Sequence, residues 1–242
     1  MSLTRREFLG VAAGVTAAGA LAPGLRLIDL VQARSPEEAV TAINRWGLLI
    51  DTGKCNDCDV CVTACSSENG WKLPERPETD PQWIRKVTLK DKQTGYVQTL
   101  PMLCQHCEKP PCVDVCPTGA SFKRADGIVL VDKHICIGCR YCMMACPYKA
   151  RSFVHEDVTD QKHHAPRGKG TVESCTLCVH RVDAGRIPAC VEACNKDGNK
   201  AMVFGDLNDG ASDIRKALAD GPSAQLRPDL ELNTGVRYRG LS

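Results

Sequence analysis

A run of four closely spaced cysteines constrains this sequence more than any other feature. In residues 127–152, GIVLVDKHICIGCRYCMMACPYKARS, the spacing is C-x2-C-x2-C-x3-C, and Pro147 follows the last cysteine. The four are Cys136, Cys139, Cys142 and Cys146. A tight loop lets three thiolates converge on three corners of one iron–sulfur cube, whereas the cysteine after x3 has begun a helix and points elsewhere. Because neither a zinc ribbon nor a disulfide framework calls for this spacing, the run indicates iron–sulfur ligation.

All sixteen cysteines of the 242-residue chain fall into such quartets. The first quartet repeats the spacing, the second has a four-residue middle gap, and the fourth has a middle gap of eleven residues. Their members are Cys55, Cys58, Cys61 and Cys65, then Cys104, Cys107, Cys112 and Cys116, and finally Cys175, Cys178, Cys190 and Cys194. The sequence therefore predicts four 4Fe–4S clusters with all sixteen cysteines as iron ligands, a distribution that no zinc or disulfide hypothesis explains.

An internal duplication relates the quartets. The first and third match at a constant offset of 81 residues, and so do Asp51 and Asp132 in front of them. Such self-similarity describes a repeated unit of strand, cysteine loop and helix. We therefore expect an α+β, loop-rich fold of two bacterial-ferredoxin-like lobes related by internal duplication, after an N-terminal signal. The expected divisions are 1–33 for the signal, 34–94 with 166–205 for the lobe of quartets one and four, 95–165 for the lobe of quartets two and three, and 206–242 for a C-terminal tail.

The N-terminus has the layout of an export signal. The residues Thr4-Arg5-Arg6-Glu7-Phe8-Leu9 resemble the twin-arginine signal, an apolar run follows, and Val31 and Ala33 offer small residues for cleavage. Iron–sulfur proteins receive their clusters in the cytoplasm, so an exported one must cross the membrane folded, which the twin-arginine route permits. The alternative of a membrane span is disfavoured because the apolar run is shorter than the ~20 residues that a span needs. We expect a periplasmic protein, with an uncleaved anchor as the open alternative.

Outside the cysteine quartets, the sequence predicts short strands. Residues Asp91–Gly95 have turn character between two strand-like runs and predict a hairpin. Leu207–Ser242 carries no recognisable chemistry and is expected to wrap the surface or to contact a partner. The predicted strands are Trp46–Asp51, Gln82–Lys90, Tyr96–Leu100, Ile128–Val131 and Ala201–Phe204.

Composition excludes several function classes. A net charge of +2 gives no support for nucleic-acid binding. Covalent attachment of c-type haem needs the motif C-x-x-C-H. In the second quartet His106 lies between the two cysteines and Glu108 follows Cys107, so the sequence predicts no haem. The tandem His163 and His164 are expected to be solvated loop residues because no further ligands at zinc spacing accompany them. No acid–base or nucleophilic set is recognisable, so we expect no catalytic residues and no small-molecule substrate.

From Trp46 to about Phe204, the quartets resemble those of the four-cluster iron–sulfur subunits of DMSO reductase, polysulfide reductase and NrfC-type nitrite reductase systems. In that family quartets one and four pair, as do two and three, and each pair exchanges its fourth thiolate. The resemblance implies four ligand sets: Cys55, Cys58, Cys61 and Cys194; Cys175, Cys178, Cys190 and Cys65; Cys104, Cys107, Cys112 and Cys146; and Cys136, Cys139, Cys142 and Cys116. Ser66 and Asn195 stand where the simplest ferredoxins have proline.

Within that family, the residues Asp132–Phe153 and Gly170–Arg181 most resemble DsrO-type subunits of the Dsr sulfur-metabolism membrane complex. The resemblance implies an electron-transfer subunit with an NrfD-like quinone-interacting membrane subunit and a periplasmic multihaem cytochrome c as partners. It would be attached peripherally to the membrane through the first partner. The runner-up is the equivalent subunit of a molybdopterin oxidoreductase or a nitrite reductase system. A redox sensor and a substrate-reducing enzyme are disfavoured, the latter because sixteen cysteines leave four clusters no open iron site.

Basic residues near the quartets are candidates for tuning the clusters. A cluster on four thiolates is net negative, so nearby cations and donors raise its potential. Most long basic side chains keep their charged ends in water, which is the alternative for each candidate. The candidates are Lys54, Lys133, His134, Arg140, Lys149, Arg151, His180 and Arg181.

Overall fold

The computed structural model describes residues 40–55 and 58–241. The predicted signal at residues 1–33 lies outside the described residues. The described chain is α+β, as expected, with four small sheets and short helices. Within these ranges, no helix combines the length and apolar character that crossing a bilayer requires.

The largest sheet has three strands and unites distant parts of the chain. Its strand order is β8, β1, β9, formed by β1 (Trp46–Asp51), β8 (Met202–Asp206) and β9 (Val236–Arg239). Strand β1 runs antiparallel to β8 and parallel to β9. The predicted strands Trp46–Asp51 and Ala201–Phe204 are thereby confirmed, the second shifted by one to two residues.

Three two-stranded sheets complete the strand content of the part of the chain that the structure describes. They are β2 (Ile84–Lys90) with β3 (Val97–Leu103), β4 (Ser121–Lys123) with β5 (Val129–Val131), and β6 (Ser152–Phe153) with β7 (Val172–Glu173). The predicted hairpin is confirmed: the Asp91 side chain accepts the Gln93 N–H at 2.7 Å, and its carbonyl accepts the Gly95 N–H at 3.0 Å. Asp at this position favours the turn because its side chain satisfies backbone donors two residues on.

The helices within the described residues are short, and most of them follow a cysteine loop. They are α1 (Val60–Asn69), α2 (Pro111–Asp114), α3 (Tyr141–Ala145), α4 (Val179–Val182), α5 (Ala189–Asp197) and α6 (Asp213–Ala219), with a 3-10 turn at Pro228–Leu230. Helix α1 is capped at its C-terminus by Gly70, whose left-handed backbone lets its N–H reach the Ser66 carbonyl at 2.9 Å.

The repeat seen in the sequence has a structural counterpart. Residues 48–50 of β1 and residues 129–131 of β5 are separated by the same 81 positions, and so are the first residues of α1 and α3, Val60 and Tyr141. Helix α3 is the shorter of the two because Cys146 precedes Pro147 and is extended, with ψ 112°. The arrangement supports a duplicated unit, while the exact division into lobes remains a prediction.

The apolar core includes the cysteines. Most of the thiols are buried in one cluster with Leu48, Ile50, Ile84 and Trp71. The expectation that Leu207–Ser242 lies on the surface is wrong for β9, since Tyr238 is 0% exposed. Backbone pairing with β1 carries this strand into the core.

Candidate iron–sulfur sites

The sixteen cysteines converge in fours around four small cavities. The first is lined by Cys55, Cys58, Cys61 and Cys194, the second by Cys65, Cys175, Cys178 and Cys190, the third by Cys104, Cys107, Cys112 and Cys146, and the fourth by Cys116, Cys136, Cys139 and Cys142. Their volumes, mouths included, are alike at 280 to 320 Å³. These groupings are those that the family resemblance implies, although ligation of iron in these sets remains a prediction.

Helix geometry explains why the last cysteine of each quartet lines a different cavity. Cys61 and Cys65 lie one turn apart on α1, so the second thiol is about 6 Å further along the helix axis. Helix α5 packs against α1 and carries Cys190 and Cys194. The start of α1 shares the first cavity with the end of α5, and the end of α1 shares the second cavity with the start of α5. Helices α2 and α3 bring together the third and fourth cavities in the same way.

The C-x2-C loops share a backbone turn. The residue before the second cysteine has a positive φ in three of them: 44° at His106, 69° at Gly138 and 54° at Leu177. Its counterpart in the first quartet lies outside the described residues. A non-glycine residue pays about 1–2 kcal/mol for this conformation, a strain that is typical of functional loops. Glycine is required at Gly138 for a second reason, because a Cβ there would lie 2.1 Å from the Gly170 carbonyl oxygen.

Backbone N–H groups donate to cysteine sulfur in three of the cavities. Ser121 donates to Cys116 Sγ and Ala201 to Cys194 Sγ, both at 3.3 Å. Further donors are the Leu177 N–H to Cys175 Sγ at 3.3 Å and the Val172 N–H to Cys136 Sγ at 3.5 Å. Such donors stabilise the negative charge of a thiolate, so they suit sulfur atoms that ligate iron.

Side chains that the sequence did not single out donate to sulfur as well. Trp71 Nε1 lies 3.4 Å and Asn69 Nδ2 3.6 Å from Cys65 Sγ, and Asn199 Nδ2 lies 3.5 Å from Cys58 Sγ. Only Asn69 had a local signal, since it follows Cys65 by four residues on α1 and so shares its helix face.

Burial shapes the chemistry of the thiols. Burial, reinforced by neighbouring thiols, raises the pKa of Cys61, Cys65 and Cys107 to about 12. Partial burial opposes the shift at Cys116, but N–H and hydroxyl donors beginning with Ser121 lower its pKa. Iron replaces the proton on a ligating thiol, so a cavity ringed by four thiols with donors aimed at sulfur fits a 4Fe–4S cluster.

Electrostatic contacts between thiols connect the four cavities in succession. Burial is the largest cause of the raised pKa values of these thiols, and thiols in adjacent cavities raise them further. Cys61 acts on Cys190, linking the first cavity to the second, and Cys104 acts on Cys175, linking the second to the third. The third and fourth are linked at Cys142, whose pKa is raised by burial and by Cys112, with Arg151 acting in the opposite direction.

The basic tuning candidates differ in what they contact. Arg151 donates to Cys112 Sγ at 3.1 Å. Lys133 Nζ donates to the Val172 carbonyl at 2.7 Å, and burial lowers its pKa to about 8. Arg140 lies over the Phe153 ring, 4.8 Å from its centroid. Lys54 is an exposed partner of Asp51. Among the eight candidates, all of which the structure describes, Arg151 is the one with a recorded hydrogen bond to cysteine sulfur.

His180 and Arg181 join an ion-pair network beside the second cavity. Arg181 Nε donates to Glu68 Oε1 at 2.8 Å, and His180 Nε2 lies 2.7 Å from the same oxygen. Burial opposes ionisation of Glu68, but these partners lower its pKa to about 2. His164 is exposed and stacks on His180 with ring centroids 3.8 Å apart. The histidines and Glu68 lie close enough to hold a metal ion, yet Arg181 already engages both carboxylate oxygens.

His106, inside the second quartet, has a structural role. Its Nδ1 accepts the Val129 N–H at 3.0 Å, and burial lowers its pKa to about 3, so the ring stays neutral.

Comparison with known proteins agrees with this site. Two models described as 4Fe–4S dicluster domain match residues 54–120 and 95–207. The Hdr-like menaquinol oxidoreductase iron–sulfur subunit 1 of Archaeoglobus fulgidus is 43% identical, over 99% of this chain and 98% of that protein. A tetrathionate reductase subunit of Salmonella typhimurium is 37% identical, over 100% and 90%. A polysulfide reductase chain of Wolinella succinogenes is 37% identical, over 78% and 90%.

These matches cover the whole described chain, and the two dicluster matches account for all sixteen cysteines. The chain therefore belongs to the 4Fe–4S dicluster family of iron–sulfur electron-transfer subunits of oxidoreductases, and it carries four 4Fe–4S clusters.

Proposed function

We propose that this protein passes single electrons along its four clusters, between a quinone-handling membrane subunit at one end and a redox partner at the other. The observation that carries the proposal is the set of four cavities, each lined by four cysteines. Three links between neighbouring cavities, through Cys61, Cys104 and Cys112, support the order first, second, third, fourth. An isolated catalytic cluster would need no such series.

We propose that the cysteines lining each cavity ligate the cluster within it. Three thiolates then come from one quartet and the fourth from its partner, which places paired clusters side by side. The hydrogen bonds to sulfur support this assignment, because each donor favours the charged, ligating form of the thiol it contacts.

The fourth cavity is our proposed contact with the membrane subunit. Cys139 is exposed there, so a cluster at this site lies at the protein surface. Three large apolar side chains beside it are strongly exposed: Ile137 at 66%, Tyr141 at 58% and Met144 at 77%. Clustered exposed apolar side chains mark protein–protein contacts. We assign this face to an NrfD-like quinone-interacting subunit, which the resemblance implies and the menaquinol oxidoreductase name of the Archaeoglobus relative supports.

We further propose that the protein works in the periplasm after export in folded form by the twin-arginine route, and is held at the membrane through this subunit. The signal-like residues 1–33 and the lability of clusters to unfolding support that order of events. A periplasmic multihaem cytochrome c would then be the redox partner at the first cavity. This assignment rests on the resemblance to DsrO-type subunits of a sulfur-metabolism complex.

The second candidate function is the equivalent subunit of a molybdopterin oxidoreductase. The similarity to the tetrathionate reductase and polysulfide reductase relatives favours it. The two functions share the electron-transfer chain and differ in the partner at one end, so the attached subunits discriminate between them.

The test is anaerobic isolation from native membranes. Four cubanes predict about sixteen irons per chain and four one-electron couples in a potentiometric titration. Recovery with a quinone-interacting subunit and a haem protein supports the first function, whereas recovery with a molybdopterin enzyme selects the second. Zinc in place of iron, or far fewer irons, would refute both.

A further inference from the structure

Arg151 occupies an unusual position for a cationic side chain. It follows the third quartet, lines the third cavity and is only 5% exposed. One terminal nitrogen, NH2, donates to Cys112 Sγ at 3.1 Å. The other, NH1, is buried without a hydrogen-bond partner.

Two other arginines with little exposure, one buried and one half-buried, are paired with carboxylates. Arg167 donates to both oxygens of Glu173, at 2.8 and 2.9 Å, and Arg124 donates to both oxygens of Asp183. Among residues 40–55 and 58–241, no carboxylate forms an ion pair with Arg151. Burying an unpaired charge is expensive, so a buried guanidinium without a carboxylate requires another negative partner.

The groups that face Arg151 are thiols from two cavities, which become negatively charged thiolates when they ligate iron. They are Cys112, Cys104 and Cys142. The first two line the third cavity and Cys142 lines the fourth. Since arginine keeps its proton at every physiological pH, the side chain supplies a fixed positive charge between these two cavities.

Building on the proposed electron-transfer chain, we propose that Arg151 is the internal counter-cation of the third cluster and sets its reduction potential above the value that the thiolates alone would give. Reduction adds one electron from the neighbouring cluster and makes the site one unit more negative, while Arg151 keeps its proton. A fixed cation stabilises the reduced form more than the oxidised form. The effect on the fourth cluster is weaker, because Cys142 is the one thiol of that cavity among the three that face Arg151. Arg151 is thus a positioning residue, because its fixed charge acts through the cluster that accepts the electron.

The test compares four variants by potentiometric titration of the anaerobically isolated protein, monitored by electron paramagnetic resonance. R151Q removes the charge and R151K keeps the charge without the planar fork. The matched control is R140Q, because Arg140 borders the fourth cavity but is exposed to solvent. The variant Cys107→Ser identifies the couple that belongs to the third cavity.

In R151Q we expect the reduction equilibrium of the third cluster to fall tenfold or more, which is about 59 mV for a one-electron couple. The fourth cluster should shift less, and the first and second should not move. R151K should give a smaller shift than R151Q, and R140Q should leave the third couple in place. An unchanged potential of the third cluster in R151Q, or an equal shift of that potential in R140Q, would overturn the proposal.

If R151Q loses the third cluster, R151K decides the matter. The role of the charge is supported if R151K keeps about sixteen irons and the reduction equilibrium of its third cluster differs from wild type by less than tenfold. Loss of the cluster in R151K would show that side-chain shape is what matters and would refute the proposal. A wild-type protein with fewer than four couples would instead refute the proposed electron-transfer chain, so the two failures are distinguishable.

Discussion

The exchange of the fourth ligand is testable with cysteine pairs. Cys65 belongs to the first quartet in sequence but lines the second cavity with Cys175, while its helix neighbour Cys61 lines the first. We compare Cys65→Ser/Cys175→Ser, which removes two thiols from one cavity, with Cys61→Ser/Cys65→Ser, which removes one thiol from each of two cavities.

The structure sets the magnitudes. Sixteen cysteines around four cavities correspond to about four irons per site. The Cys65/Cys175 variant should lose one cluster and keep about twelve irons, with three couples at their original potentials. The Cys61/Cys65 variant should leave each of two cavities with three thiols, so two couples should change or vanish while the other two stay.

The assay is iron analysis combined with potentiometric titration under anaerobic conditions. The pair Cys190→Ser/Cys194→Ser on α5 is the matched control, because it should alter the same two couples as the Cys61/Cys65 pair. The reasoning is refuted if the Cys61/Cys65 variant loses a single cluster while the Cys65/Cys175 variant disturbs two. That result would mean that each quartet holds its own cluster.

Three further predictions follow from packing and burial. Gly138→Ala should destabilise the fourth site by about 2–4 kcal/mol, since a Cβ would clash with the Gly170 carbonyl. The thermal loss of visible cluster absorbance should move to lower temperature, and an unchanged transition would contradict this. Tyr238→Phe should cost about 1–2 kcal/mol, because the buried hydroxyl accepts from Gln105 Nε2 and donates to the Pro101 carbonyl, both at 3.1 Å; we expect a lower urea midpoint, and an equal midpoint would count against it. Buried thiols such as Cys65, whose pKa is raised to about 12, hold their protons at neutral pH. Cluster assembly on the apoprotein therefore releases protons and should proceed further as pH rises from about 7 to 9. A yield of assembled cluster that falls with pH would be evidence against this.

Local patterns predicted the local elements well. The hairpin around Asp91 and the strands at Trp46 and Met202 were expected within a few residues. These elements depend on short-range signals, namely turn residues and apolar runs, which do not need knowledge of distant partners. The spacing of the sixteen cysteines likewise indicated the cofactor from the sequence alone.

Long-range contacts escaped prediction. Strand β9 pairs with β1 across some 190 residues, and its sequence Val-Arg-Tyr-Arg is too short to reveal a buried strand. The donors Trp71 and Asn199 lie outside the cysteine spacing, so nothing near them in sequence marks their contact with sulfur. Nothing in the sequence distinguishes Arg151 from the seven other basic candidates, because its burial depends on the folded chain.

The sequence by itself determined the cofactor chemistry, because the cysteine spacing dictates how many thiolates one loop can bring to one cube. The tertiary structure decided which cavities are neighbours, which donors reach sulfur, and which arginine is buried without a carboxylate partner. The physical reason is that loop geometry is set over a few residues. Burial and electrostatic partnership, by contrast, depend on segments that meet only when the chain is folded.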